Sequence, residues 1–283
     1  MAATPIHDLP EDCLARVIAF TTPRKACQSS IVSTMFRNSI ESDFVWEKFL
    51  PCDYRDIMSK LVSPLMEFSS KKDLFFKLSS PQLIDGGNKT FAIDKSTNKK
   101  CYMLSARELS ITWASNPLSW SWKPLLHSRF SQGVELIMVC WLEICGKIST
   151  RMLSENTTYG AYLVVKLANR AFGLDFLPSE VSIEVGDYKS TGITYLRGGS
   201  ECKKQDLEHY YAQHKIDESR SSKIYEVEER VLHMREDGWL EVELGEFYCD
   251  GEDREVKMSL KEVKGEHLKG GLLVEGIELR PKH

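Results

Sequence analysis

The chain has 283 residues, enough for one large or two ordinary domains that bury a core without disulfides or metal. Lys and Arg number 37 against 41 Asp and Glu, a net charge of −4 with a pI near 6.0, so the basic field that a nucleic-acid or membrane-surface binder needs is missing. Charged residues at 28% and hydrophobic ones at 42% exclude wholesale disorder.

Met1 to Pro10 has no cationic start and no apolar run, and the longest apolar run, Leu136 to Leu142, is too short to cross a bilayer. The expectation is a soluble chain of the cytoplasm and nucleus. The eight Cys, at 13, 27, 52, 101, 140, 145, 202 and 249, form no CxxC and have no His at metal-ligand spacing. They read as reduced, buried small side chains, and no metal or other cofactor is expected.

Residues 8 to 50 read as three short helices. Leu14, Val17 and Ile18 share a face behind Leu9-Pro10-Glu11-Asp12, where Pro10 suits a first turn and the two acids suit the positive dipole end. Pro23 restarts the pattern, and Phe44, Trp46, Phe49 and Leu50 close the unit at Pro51. Such a small core leans on a partner or a neighbour. The helical spacing continues from Cys52 to Ser80 through Ile57, Leu61, Leu74, Phe75 and Leu78. Asp85-Gly86-Gly87-Asn88 marks a boundary. This predicts a helical domain over 1–51, a helical linker region over 52–87 and a β-domain over 88–283.

After Cys101 the period changes to two. Leu136 to Ile144, Ala161 to Leu167, Val181 to Val185, Trp239 to Leu244, Val256 to Leu260 and Leu272 to Leu279 read as short strands separated by turn residues. Leu240, Val242 and Leu244 face the core while Glu241 and Glu243 face water. Residues 198–227 are polar and of mixed charge, a surface insertion with a helix at Gln205 to His214. The fold class is α + β multidomain, a small helical unit followed by an all-β sandwich.

Leu9-Pro10-Glu11-Asp12, Pro23, Val32 to Arg37 and Asp43-Phe44-Val45-Trp46 together resemble a plant F-box. That resemblance implies docking on the Skp-type adaptor of a cullin-RING ubiquitin ligase, through Leu9, Pro10, Leu14, Val17 and Ile18. Residues 101 to 283 look like the Nictaba, or phloem-protein-two, lectin family, through Leu109 to Trp113, Trp120-Ser121-Trp122, Val139 to Ile148, Tyr159 to Val164, Asp237 to Phe247 and Ile277 to Lys282. The fold it implies is a jelly-roll-like sandwich.

The same resemblance assigns a sugar site to Trp113, Trp120, Glu255 and Glu262. An indole offers an apolar platform to a pyranose ring, and a carboxylate accepts from its hydroxyl rim. Trp141 and Trp239 sit in apolar runs and read as core, and Trp122 is the substitute should Trp120 be buried. Strict alternation along Glu255 to Val263 turns Glu262 inward, so the site requires a bulge or strand end at 260 to 262; without one Glu262 is a buried, paired carboxylate.

The function these features imply is substrate recognition in an SCF-type ubiquitin ligase, with the β-domain holding N-acetylglucosamine-containing or N-linked glycans on target proteins. The alternative is a protein-interaction module that no longer binds sugar. Neither nucleic acid nor a membrane is an expected partner. An enzyme, with Glu255 and Glu262 as a glycosidase pair, is the remote reading, and no catalytic residue is assigned.

Overall fold

A computed structural model describes residues 9–64, 67–196 and 228–282. The polar insertion near 198–227 and its expected helix lie outside the described residues.

The N-terminal unit holds four short helices where three were expected: α1 (Glu11–Ile18), α2 (Pro23–Ser29), α3 (Thr34–Glu41) and α4 (Asp43–Phe49). Each boundary has a local cause. The Thr22 hydroxyl accepts from the Lys25 amide and Pro23 opens α2, the Ser33 hydroxyl caps α3, and the extended Ser42 (ψ 127°) separates α3 from α4. Trp46 is the centre of this unit. Its ring is buried against Phe49 at 5.6 Å and Phe75 at 5.2 Å, and its indole N–H donates to the Ile40 carbonyl at 2.6 Å.

The continuous helical pattern expected over 52–80 is interrupted. α5 (Tyr54–Ser59) and α6 (Lys71–Leu78) form, but Leu61 bridges to Ile84 and the Val62 amide donates to the Leu83 carbonyl, so the backbone between the helices serves a sheet edge. β1 (Gln82–Ile84) therefore lies inside the segment read as linker. It pairs antiparallel with β2 (Lys89–Ile93) across a turn in which Gly86 and Gly87 take positive φ.

The remaining strands are β3 (Lys100–Ser105), β4 (Ser110–Ile111), β5 (Trp120–Lys123), β6 (Gly133–Leu136), β7 (Leu142–Ser149), β8 (Thr157–Phe172), β9 (Ser179–Val185), β10 (Tyr188–Thr194), β11 (Glu228–Glu229), β12 (His233–Met234), β13 (Leu240–Cys249), β14 (Glu255–Glu262) and β15 (Gly270–Pro281). One sheet has the order β1-β2-β3-β15-β8-β13-β12, with β6 on β15 and β5 on β6; the other has β11-β10-β9-β14-β7-β4. Among the described residues every pairing is antiparallel except β10 with β11. Leu163, Val242 and Ile277 of the larger sheet share a core with Ile144, Ile183 and Met258 of the smaller, which makes a sandwich.

The run Leu136 to Ile144 is not one strand. β6 belongs to the larger sheet and β7 to the smaller, so residues 137–141 cross between sheets at the end of the sandwich and leave Ile137, Met138 and Trp141 partly in solvent. The cysteine reading also needs correction: Cys249 is buried, whereas Cys13, Cys27, Cys52 and Cys140 are exposed because they lie on outward helix faces or in loops.

The helices and the sandwich form one continuous core. Buried residues run from Leu14 and Trp46 through Phe75, Ile84 and Phe91 to the sandwich interior, and Lys100 meets Asp53 at 3.1 Å. Tyr159, near the start of β8, donates to the Lys100 carbonyl, so this strand begins beside the helices; its far end lies about 50 Å away, at 3.3 Å per residue. No described helix is long and apolar enough to cross a membrane.

Candidate functional site

At that far end a loop leaves β4 and turns sharply. Trp113 occupies the left-handed region at φ 60°, a conformation costly for a bulky side chain and held here by the Asn116 amide donating to the Trp113 carbonyl at 2.9 Å. Two further indoles brace the loop. Trp120 donates Nε1–H to the Thr112 carbonyl at 2.9 Å, and Trp122 donates to the Ala114 carbonyl at 2.8 Å. Trp113 is thereby left 48% exposed, while Trp120 is only 2% exposed.

Trp120 is therefore a support, not the open platform expected of it. Trp122, its substitute, is half-buried and carries the Arg107 guanidinium 3.6 Å from its ring centre, so one aromatic face is already taken. Arg107, Ser115, Pro117, Trp120 and Trp122 line a cavity of about 530 Å³.

A second exposed indole comes from the sheet crossing. Trp141, read as core from its apolar neighbours, is 43% exposed, because residues 141, 143, 145 and 147 alternate outward as the chain enters β7. Its Nε1–H donates to Glu143 Oε2 at 3.2 Å, and the Thr112 hydroxyl donates to the same oxygen at 3.2 Å. Lys261, opposite Glu143 on β14, closes the cluster at 3.0 Å from Oε1. The bond from Lys261, aided by that from Trp141, holds the Glu143 carboxyl below its ordinary pKa, so it stays an anionic acceptor.

The two carboxylates expected in the site are not brought together. β14 pairs with β7 in unbroken register from Glu255 opposite Ser149 to Glu262 opposite Leu142, so no bulge occurs near Lys261 and the strand ends only after Glu262 has paired. Glu262 turns inward, buried, where it pairs with the buried ammonium of Lys269 and accepts from the Gly265 amide at 2.9 Å. Glu255 is exposed, 3.2 Å from Lys147, roughly 20 Å along the strand from the Glu143–Lys261 pair. Seven steps, about 23 Å, and opposite faces also exclude Glu255 and Glu262 as a glycosidase pair, which needs two carboxyls within about 10 Å.

In the helical unit α1 turns Leu14 and Ile18 inward among α3 and α4, so these two are core and not docking residues. Pro10 and Val17 are exposed and Leu9 is half-buried. The open apolar side chains cluster at the helix junctions: Val17 and Phe20 around the α1 end, Ile31 and Val32 between α2 and α3. Phe20 is 92% exposed.

Comparison with known proteins decides the family. The F-box domain model matches residues 6–48 and the Phloem protein 2 model matches residues 99–281. Arabidopsis thaliana F-box protein PP2-B15 is 48% identical over 97% of this chain and 96% of its own length. F-box protein VBF of the same plant is 47% identical over 97% of this chain and 99% of its own, and F-box protein PP2-B13 is 45% identical over 96% and 98%.

The chain belongs to the plant F-box proteins with a phloem protein 2 domain.

The F-box match spans α1 to α3 and most of α4, and the phloem protein 2 match spans β3 to β15. Between them, α5, α6, β1 and β2 supply the packing that joins the two parts. Two residues of the phloem protein 2 domain escaped the sequence reading. Trp141 was hidden by its apolar neighbours. Glu143 was legible as the alternate partner of Trp141, Cys145 and Lys147, but its link to Trp113 depends on β4 pairing with β7.

Proposed function

We propose that this chain is the substrate-recognition subunit of an SCF-type cullin-RING ubiquitin ligase. Its F-box holds a Skp-type adaptor through Val17, Phe20, Ile31 and Val32. Its phloem protein 2 domain holds a glycan of the N-acetylglucosamine-containing or N-linked kind, carried by the target, and performs no chemistry on it.

The observation that carries this reading is the placement of two different surfaces at opposite ends of one continuous core. Open apolar side chains lie on the helices, and toward the far end of the sandwich the half-exposed indole of Trp141 donates to Glu143 Oε2, whose other donor, Thr112, directly precedes the half-exposed Trp113. In the sugar site Trp113 and Trp141 supply platforms, Glu143 accepts, and the Lys261 ammonium donates to ring hydroxyls. Trp120 holds the loop beneath Trp113. Glu255 is too far along the strand to touch the same ring. Stacking at about 1 kcal/mol per ring, less the entropy of association, makes a single sugar a weak ligand of roughly millimolar affinity.

The test is to co-express the full chain with a plant Skp-type adaptor and apply the purified complex to a glycan array. Complex formation with glycan capture supports the reading. A stable complex that captures no glycan favours the protein-interaction module, for which Phe172, Phe176 and Leu268, exposed at the same end, are the contact residues. Failure to bind adaptor overturns the ligase assignment.

A further inference from the structure

The outer face of the smaller sheet carries a feature that the sugar-site assignment leaves unused. Cys145, Ser259, Ser182 and Thr191 are successive register partners across β7, β14, β9 and β10, and Ser110 of β4 continues the same row. All are small, and four of the five bear hydroxyls. On one side runs a row of long side chains, Lys147, Lys257, Glu184 and Lys189; on the other run Glu143, Lys261 and Glu180. A floor of short side chains between two rows of long ones is a trough across the strands. Residues of β7, β14, β9 and β10 line a cavity of about 300 Å³ in it, and four strands at about 4.8 Å spacing give that cavity a length near 14 Å.

The chemistry of the trough restricts what fits. Most of the wall charges are matched within the protein: Lys189 meets Glu184 at 2.6 Å, Lys261 meets Glu143 at 3.0 Å, and Glu255 lies 3.2 Å from Lys147 and 3.8 Å from Lys257, while Glu180 has no ion pair among the described residues. An anionic or cationic ligand has to break such pairs, whereas a neutral one accepts from the Lys and donates to the Glu as they stand. The sheet's own ladder occupies the backbone groups beneath, so recognition falls to side chains. Ser182 and Ser259 lie 2.8 Å apart and can turn their hydroxyls to either role. A row of hydroxyls between paired charges, with no large apolar surface, suits a chain of neutral hydroxyl-bearing rings. It does not suit an extended peptide, which seeks unpaired backbone at a sheet edge.

We propose that this trough is a second carbohydrate subsite, which takes the continuation of an oligosaccharide whose terminal ring rests at Trp113 and Trp141. The Glu143–Lys261 pair is the wall common to both subsites. The inference rests on the sugar-binding reading above and adds to it a preference for length.

Titration calorimetry on the full chain tests it, with N-acetylglucosamine, linear oligomers of it in increasing length, and the core oligosaccharide of N-linked glycans as probes. Affinity is expected to rise on the order of tenfold from the single sugar to the longer oligomers. Ser182→Ile and Ser259→Ile each fill the floor with a residue suited to an outward strand position. Both are expected to keep single-sugar binding and to lose the gain with length. Ser182→Thr retains a hydroxyl and is expected to keep part of it. Trp113→Ala is expected to lose every ligand. If the gain with length survives both isoleucine variants with unchanged melting curves, the trough is no subsite while the sugar-binding reading stands. If affinity does not rise with length in the wild-type chain, the proposal falls in the same way. If the wild-type chain binds no sugar, both fall.

Discussion

Trp141 donates its indole N–H to Glu143 across 3.2 Å on the outer face of β7, and the same carboxylate oxygen accepts from Thr112, the residue before Trp113. One carboxylate thus ties a sheet crossing to a turn more than twenty positions earlier in the chain. The mutational consequences of the assigned site follow from this link.

Removing the Trp113 ring takes away contact surface with little core burial. Trp113→Ala is expected to abolish glycan capture on an array while the melting temperature barely moves. Glu143→Gln keeps one acceptor oxygen and drops the charge, so binding is expected to weaken and not vanish. Glycan capture undiminished by either change sinks the site.

Trp120 is expected to behave in the opposite way. Its replacement by Ala leaves a cavity and removes the bond to the Thr112 carbonyl, at a cost of about 3–5 kcal/mol in urea unfolding. A small loss, with stability like that of Trp113→Ala, contradicts the brace assigned to it.

Glu262→Gln leaves the buried Lys269 ammonium without its counter-charge. The expected cost is about 3–5 kcal/mol, and the double change Glu262→Gln with Lys269→Met is expected to recover much of it. Denaturant titration of the three proteins reads both values. Equal stability of Glu262→Gln and wild type shows that the pair carries no weight.

On the F-box, Phe20→Ala with Ile31→Ala is expected to prevent adaptor capture in a pull-down without lowering the melting temperature. Leu14→Ala is expected to cost about 2–5 kcal/mol whether or not adaptor is present. Adaptor binding that survives the paired surface change moves the docking surface elsewhere.

Glu275 supplies a test by pH. It is buried on β15, where it accepts from the Arg129 amide at 2.7 Å and the Ser128 hydroxyl at 3.1 Å, and burial raises its pKa above the ordinary value. Below about 4.3 both the folded and unfolded chains hold the proton, so the group costs nothing. As pH rises from there through the raised folded value, the unfolded chain releases its proton first, and stability falls. Glu275→Gln is expected to lack that fall, so the difference in unfolding free energy, wild type minus variant, is expected to decline as pH rises through this range. A difference curve that is flat or rises with pH refutes it.

The strands over 161–167, 181–185 and 256–260 were legible because alternation survives wherever one face of a strand is buried. The helix starts were legible because proline and capping hydroxyls act on their own neighbours. What could not be read depended on partners distant in sequence. Nothing near Leu61 announces a bridge to Ile84, and nothing in the apolar run ending at Trp141 shows that it changes sheets. The resemblance singled out Trp113, whose indole the structure leaves half-exposed in the loop after β4. Trp141 and Glu143 joined it only through the pairing of β4 with β7, and Trp120 could not be told from a platform until its N–H was seen to be spent on the loop.

The unbroken register of β14 has a consequence for reading such domains. On a straight strand the side of the sheet that a residue meets is a matter of parity, so two positions separated by an odd number of steps never share a surface. Glu255 and Glu262 differ by seven. An acid at each end of that interval therefore joins the two environments of one strand, the first in solvent and the second locked to a buried ammonium. Retention of both acids in a related chain is then two separate requirements, one for the surface and one for the fold. A relative that lacks either has altered only the requirement which that acid meets.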